Sequence, residues 1–256
     1  MRLHLAIVSC ALILNITTAA AECERTRCSE FVSSNDDEQL QTAVVNNKTD
    51  MAQRALAQGA LVNACGEDYR RPLHWAAIHN NPLLVKSLLK AQADPNVQDC
   101  PGNTPLVYAA EADDTQVASL LLSAGAAIDA PESDITPLQM AASHGRVTML
   151  HFLLSRGANP NAVRNDSTAL LYAVRLHQLG AVKVLLHAGA SPDMETSYGL
   201  TPLYKAVEDG QLQIVKALLD AGADPQAKFA GWNVVDRAEA KGYKEIAELI
   251  RARKRK

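Results

Sequence analysis

An all-α solenoid of stacked helix-turn-helix units with short hairpin loops is what the periodicity of this chain calls for. A Gly-Ala pair or close variant recurs at Gly59-Ala60, Gln92-Ala93, Gly125-Ala126, Gly157-Ala158, Gly189-Ala190 and Gly222-Ala223, in steps of 33, 33, 32, 32 and 33 residues. A fixed period of that size marks a stack of small identical units, and it moves the search for function from a pocket to an extended surface. Composition agrees: 48% of the 256 residues are hydrophobic but only 4% are aromatic, so Ala, Leu and Val build the core. A repeat array of this length forms one elongated body around one continuous core, so no second globular domain is required.

Residues 1–21 read as a secretory leader. Met1 and Arg2 precede an apolar stretch from Leu3 to Ile16, and Ala19-Ala20-Ala21 precede the first acid, Glu22. Small residues at Ala19 and Ala21 are where a signal peptidase reads, so cleavage is expected after Ala21. The stretch falls short of the roughly 20 apolar residues of a spanning helix. A soluble exported protein is the expectation, and an uncleaved membrane anchor is the alternative.

The next segment, 22–39, carries cysteines. Once Cys10 leaves with the leader, Cys23, Cys28, Cys65 and Cys100 remain, an even number consistent with two disulfides in any of three pairings. Cys23 with Cys28 is locally easy. Cys65 and Cys100 fall in predicted inter-repeat loops of neighbouring units and could bridge if their Cα atoms come within about 7 Å. A zinc site is the rival reading, but no His stands at ligand spacing beside Cys23 and Cys28.

The repeat body covers 40–250. In the unit from Asn103, Thr104-Pro105 opens a first helix on two counts: the hydroxyl can cap free amides, and Pro fits the first helical position. Ala109-Ala110 keeps that short helix thin, so the next unit can approach closely. After a turn at Asp113-Asp114, a second helix carries an apolar stripe, as at Leu84, Val85, Leu88 and Leu89 in one unit and Ile214, Val215, Leu218 and Leu219 in another. Gly after the last periodic residue suits a left-handed cap. The polar stretches between units, rich in Pro, Asn, Asp and Gly, read as turns or hairpins.

These residues resemble ankyrin repeats. The family's Thr-Pro-Leu-His-x-Ala-Ala start is matched from Arg71 to Ala77, Thr104 to Ala110, Thr136 to Ala142 and Thr201 to Val207, with a degenerate copy from Thr168 to Val174. The likeness spans about Leu40 to Ile250: five full repeats between atypical capping repeats. The first unit lacks Thr-Pro-Leu and the last has Val234-Val235 and no Gly-Ala, as ends facing water should. The fourth full unit lacks Pro at Ala169 and Gly at His177, which predicts a softer spot. A basic tail, 251–256, closes the chain; its plain reading is a helix end whose cations complement the dipole.

The resemblance implies that partners dock on a concave face made from loop tips and the exposed ends of the first helices. The tip positions then fall at Asp68, Tyr69 and Arg70, at Asn103, at Ser133, at Arg164 and Asn165, and at Tyr198. The helix-end positions are Ile78 and His79, Glu111, Ser143 and His144, Arg175, and Glu208 with Asp209. Tyr and Arg are residue types that often carry interface energy.

No cofactor, metal or catalytic constellation is read in the chain, which lacks a phosphate loop after a strand, a two-His metal helix and a Gly-x-Ser-x-Gly elbow. Asp36-Asp37 and Asp113-Asp114 read as solvated turns rather than paired catalytic carboxylates. Without Arg2 and the five cations of the tail, 28 acids face 19 bases, an acidic body that argues against nucleic acid and favours a partner with a basic surface. The expectation is a non-enzymatic binding protein, monomeric when free, in the periplasm or outside the cell. Its partner is a secreted toxin that it neutralises as an immunity protein, or a periplasmic oxidative-stress enzyme that it serves as an accessory. A surface-associated scaffold tethered by the basic tail is the reading from another class.

Overall fold

The computed structural model describes residues 32–66, 68–130 and 133–254. Leader residues 1–21 and the cysteines at 23 and 28 lie outside them. Among the described residues, seven helical pairs follow one another: α1 (Asn35–Val45) with α2 (Thr49–Ala57), α3 (Pro72–Ile78) with α4 (Pro82–Lys90), α5 (Pro105–Ala109) with α6 (Gln116–Ser123), and α7 (Pro137–Ser143) with α8 (Val147–Ser155). Then come α9 (Ala169–Arg175) with α10 (Leu179–His187), α11 (Pro202–Glu208) with α12 (Leu212–Asp220), and α13 (Val234–Ala240) with α14 (Lys244–Lys254). Each helix packs on its own partner, and most pack on the equivalent helix of the next pair, α3 on α5 and α4 on α6 for example. This is the predicted ankyrin-repeat solenoid.

The thinness required of the first helices is met by one fully buried alanine per unit: Ala43, Ala76, Ala109, Ala141, Ala173, Ala206 and Ala238 are each 0% exposed. A leucine column from the second helices, Leu88, Leu121, Leu153, Leu185 and Leu218, is equally closed to water. The core is therefore continuous along the stack, and truncating any of these leucines to Ala should cost about 2–5 kcal/mol.

Helix starts follow the predicted chemistry with one exception. The hydroxyls of Thr136, Thr168 and Thr201 accept from the amides of Gln139, Leu171 and Tyr204 at 3.1, 3.2 and 3.2 Å. Thr104 does not cap α5; its hydroxyl is buried without a hydrogen-bond partner. The second-helix ends use the left-handed cap as expected, with φ of 101° at Gly59, 93° at Gly125, 91° at Gly157, 86° at Gly189 and 91° at Gly222. Gln92 adopts the same conformation, φ 68°, despite its side chain. The fourth full unit keeps its geometry: α9 begins at Ala169, and His177 takes φ 59° where the units on either side have Gly145 and Gly210.

The loops are the expected turns or hairpins, closed for example by Gly66 N to Arg70 O, Asp99 N to Asn103 O and Thr196 N to Leu200 O at 3.0, 3.1 and 3.1 Å. Near the end of the stack β1 (Lys228–Phe229) pairs with β2 (Trp232–Asn233), and an isolated bridge joins Arg164 and Ser167. One reading is corrected: Asp37 is no solvated turn, for at 2% exposure it takes the amide of Leu61 at 2.7 Å and that of Ser34 at 3.0 Å, while its own amide donates to the Ser34 hydroxyl. That reciprocal cap pins the first helix to the turn that ends the first unit.

The opposite loops carry a ladder that the periodicity did not announce. Side-chain oxygens of Asn63, Asn96, Asp129, Asn161 and Asp193 each accept from a backbone amide one unit on, at Asp94, Ala127, Asn159, Ser191 and Asp224, at 3.1, 2.7, 3.1, 2.8 and 2.9 Å. Each rung satisfies a loop amide and fixes the register of one unit on the next. Cys65 and Cys100 are both disulfide-bonded. At the far end, α14 runs on through Arg251 and Arg253, which pair with Glu239 and Asp220. No helix of the described residues is long and apolar enough to cross a membrane.

Candidate functional site

The loop tips and the ends of the first helices line one face along the stack. Of the tip residues, Asp68, Asn165 and Tyr198 are exposed, while Tyr69, Arg70, Asn103 and Arg164 are half-buried. Of the helix-end residues, Ile78, Glu111, His144 and Arg175 are exposed, and His79, Ser143, Glu208 and Asp209 are half-buried. Ser133 departs from expectation: it is 3% exposed, and its hydroxyl donates to the Asn103 side chain at 3.3 Å. A short polar side chain there acts as a strut between neighbouring tips, so Ser133 leaves the candidate surface.

Asn103 has structural duties as well. Its amide donates to Asp99 at 2.8 Å, and its carbonyl accepts from Nε2 of His74 at 3.0 Å. His74 is fully buried, and Nδ1 accepts the Arg71 amide at 3.1 Å, so the neutral tautomer with the proton on Nε2 satisfies both bonds. Burial pushes its pKa down from 6.5 to about 4, the bond to Asn103 opposing. Gln139 repeats the device two units on, accepting the Thr136 amide at 2.9 Å and donating to Ser167 O at 2.7 Å.

At the first-unit end the face gathers an aromatic and ionic cluster around Arg70. Its guanidinium lies over Trp75 and Tyr108, 5.3 and 5.4 Å from the ring centroids, and donates to the Tyr108 hydroxyl at 3.3 Å. The Tyr108 hydroxyl donates in turn to buried Asp99, while Asp68 and Asp99 stand 3.4 and 3.8 Å from the guanidinium. Burial and the bond to Asp99 both raise the Tyr108 pKa, so the phenol stays protonated. Burial alone would lower the Arg70 pKa, but the Tyr108 bond and the two carboxylates outweigh it and raise it. His79 stacks on Trp75, centroids 5.9 Å apart, and reaches Val45 O at 2.9 Å. An open groove of about 610 Å³ adjoins this end, lined by Val32, Glu38, Gln41, Thr42, Cys65, Gly66 and Tyr69.

Toward the other end the helix-end residues are tied across units. His144 stands 3.6 Å from Glu111, whose carbonyl accepts from Arg146 at 2.7 Å. Asp209 meets Lys205 at 2.9 Å and His177 at 3.8 Å, and Glu208 takes Arg237 at 2.5 Å.

Reading tips and helix ends alone missed the residues between them. Trp75, Tyr108, Met140, Tyr172, Lys205 and Arg237 stand at one position of successive first helices, four after the capping residue, and all are half-buried. The column runs aromatic or thioether for four units and cationic for two. The signal was available in the repeat alignment, read down the column instead of along the motif. Among the described residues, no group of three or more His, Cys, Asp or Glu side chains could hold a metal ion.

The family model described as ankyrin repeats (3 copies) matches residues 3–99, 73–164, 132–196 and 170–254. Among curated proteins, the chain is 45% identical over 67 residues to the potassium channel KOR1 of Oryza sativa subsp. japonica, covering 26% of this chain and 8% of the channel. It is 32% identical over 84 residues to NF-kappa-B inhibitor alpha of Mus musculus, covering 31% of this chain and 27% of the inhibitor. The match to palmitoyltransferase ZDHHC17 of Homo sapiens is 33% over 86 residues, 30% of this chain and 14% of the enzyme. The chain thus spans a minor part of each. Among solved structures, the ankyrin repeat domain of Bcl-3, a member of the IkappaB family, aligns with a TM-score of 0.73 at 26% identity over 87% of this chain and 100% of that one. An ankyrin repeat domain of Acinetobacter baumannii AYE aligns with a TM-score of 0.64 at 32% identity over 72% and 98%.

Proposed function

The chain belongs to the ankyrin-repeat family, whose repeats are protein–protein interaction modules, and from that premise we propose that it is an exported, non-enzymatic inhibitor of another exported protein. The observation that carries the binding reading is the Arg70 cluster. Aromatic rings and a guanidinium on a half-buried, pre-ordered face are what binding hot spots are made of, and ordering them beforehand lowers the entropic cost of association. The acidic body favours a partner with a basic surface, such as a secreted toxin. The likeness to NF-kappa-B inhibitor alpha, an inhibitor by name, supports the inhibitory mode over an accessory role. Export is supported by the leader-like residues 1–21 and by the disulfide-bonded state of Cys65 and Cys100, which persists in oxidising compartments. Arg251 and Arg253 are engaged by Glu239 and Asp220, which leaves the tether reading with fewer free cations.

The test has two arms. N-terminal sequencing of protein recovered from the exported fraction should begin at Glu22; an unprocessed chain retained in the cytosol contradicts export. Immobilised mature chain should capture a specific protein from that fraction at moderate salt, and Arg70→Ala with Tyr108→Ala should lower its affinity at least tenfold; an affinity unchanged by the pair contradicts the site.

A further inference from the structure

Tyr198 is the most exposed large hydrophobic side chain of the described residues, at 85%, yet the turn that carries it is tightly held. Thr196 N donates to Leu200 O at 3.1 Å and Gly199 N to Thr196 O at 2.8 Å, closing the turn, and Gly199 supplies the φ of 83° that closure requires. The neighbouring tip then clamps it from outside. The amide of Ser197 donates to Oδ1 of Asp166 at 2.6 Å and its hydroxyl to Oδ2 at 2.9 Å. Asp166 adopts φ 54° and Asn165 φ 47°, uncommon for residues other than glycine. The Asn165-Asp166 turn, closed by the Arg164 and Ser167 backbone, thus holds its neighbour through both carboxylate oxygens, while the phenol beyond stays exposed.

The turn closure itself recurs at Gly66–Arg70 and Asp99–Asn103; the double bond to Asp166 and the exposed ring beyond it are what mark this tip. An exposed tyrosine on a mobile loop would lose backbone and rotamer freedom on docking; on a clamped turn the backbone share is already lost, so more of the ring's burial goes into affinity. We propose that Tyr198 is a preformed plug that enters an apolar cleft of a folded partner protein, and that Asp166 is the residue that positions it. This rests on the binding role proposed above and names the partner's chemistry. The cleft has a basic rim, because Asp166 and Glu195 flank the plug; the Glu195 carboxylate lies near Gly199, and Arg164 on the adjacent tip is turned to its own Val163 carbonyl. Trp232, 45% exposed on the next tip, extends the apolar contact. The same acidic flanks disfavour an anionic lipid surface as the occupant.

The experiment uses the mature full chain. Wild type, Tyr198→Ala, Asp166→Ala, Asp166→Asn and a control at exposed Leu83, Leu83→Ala, are compared for affinity to the protein that wild type captures, and separately for binding to phosphatidylglycerol vesicles. The expected result is at least a 30-fold loss for Tyr198→Ala, a smaller loss for Asp166→Ala partly restored by Asp166→Asn, and no change for Leu83→Ala. In the free protein, hydrogen exchange at Ser197 and Gly199 should speed up in Asp166→Ala while the α11 amides hold, which a general loss of stability would not produce. Capture by wild type with Tyr198→Ala within twofold of it overturns the plug alone. Failure of wild type to capture any protein overturns the binding role beneath it, and vesicle binding that depends on Tyr198 replaces the cleft with a membrane.

Discussion

His74 has consequences that reach beyond its own contacts. Its unfolded imidazole takes a proton near pH 6.5, whereas the folded one resists to about 4, because burial disfavours the cation. Between those values the unfolded chain holds the extra proton, so stability falls as pH drops from about 6.5 to about 4, by a total on the order of 3 kcal/mol. Urea titrations at pH 7 and pH 4 check this. In His74→Gln, which installs the side chain found at Gln139, that part of the pH dependence should vanish; an unchanged loss would assign it to other groups. Asp37 works in the opposite sense of charge. Burial would raise its pKa, but the bonds from Leu61, Ser34 and Ser33 outweigh that and lower it, so its contribution is present above the unfolded value of 3.8 and lost as pH falls below it. Asp37→Ala leaves the Leu61 amide without its acceptor and should cost about 1–3 kcal/mol by denaturant unfolding. Ser34 three residues before Asp37 is a local capping signal that separates it from Asp36, but nothing local announces the amide 24 residues on that Asp37 also meets.

Among the elements, the second helices and their caps were the most legible, since an apolar stripe and a terminal Gly state both the face and the end of a helix. Gln92 is the informative exception. It occupies a left-handed cap position where every other full unit has Gly, and at the equivalent Gly125 an added Cβ would meet nothing within 4 Å, so the penalty is in the backbone alone. Gln92→Gly is therefore expected to stabilise the protein by about 0.5–1 kcal/mol, read as a raised Tm. A lowered Tm would mean that the Gln92 side chain contributes more than the backbone loses. Helix starts were less legible. Thr104 has the same Thr-Pro sequence as Thr136 and Thr201, but its hydroxyl finds no amide, and Val107 stands where His74 and Gln139 offer an acceptor to the capping residue.

Among the described residues, the main contacts between helices run between neighbours in the stack, and stability is then close to a sum of unit and interface contributions. The repeat period made this architecture readable from the chain alone. The proposed binding face was readable only in part. Family-derived tip and helix-end positions include Arg70 and Tyr198, and the column of Trp75, Tyr108, Met140 and Tyr172 could be read down the repeat alignment, but the meeting of Arg70, Tyr108 and buried Asp99 depends on side chains that come together across units. The most direct measurement of the central claim is a hydrogen-exchange footprint of the captured complex. Protection is expected at the tips bearing Arg70 and Tyr198 and along the exposed ends of α3, α5 and α11. Protection confined to the second helices α4, α6 and α12, with the tips exchanging as in the free protein, would contradict it.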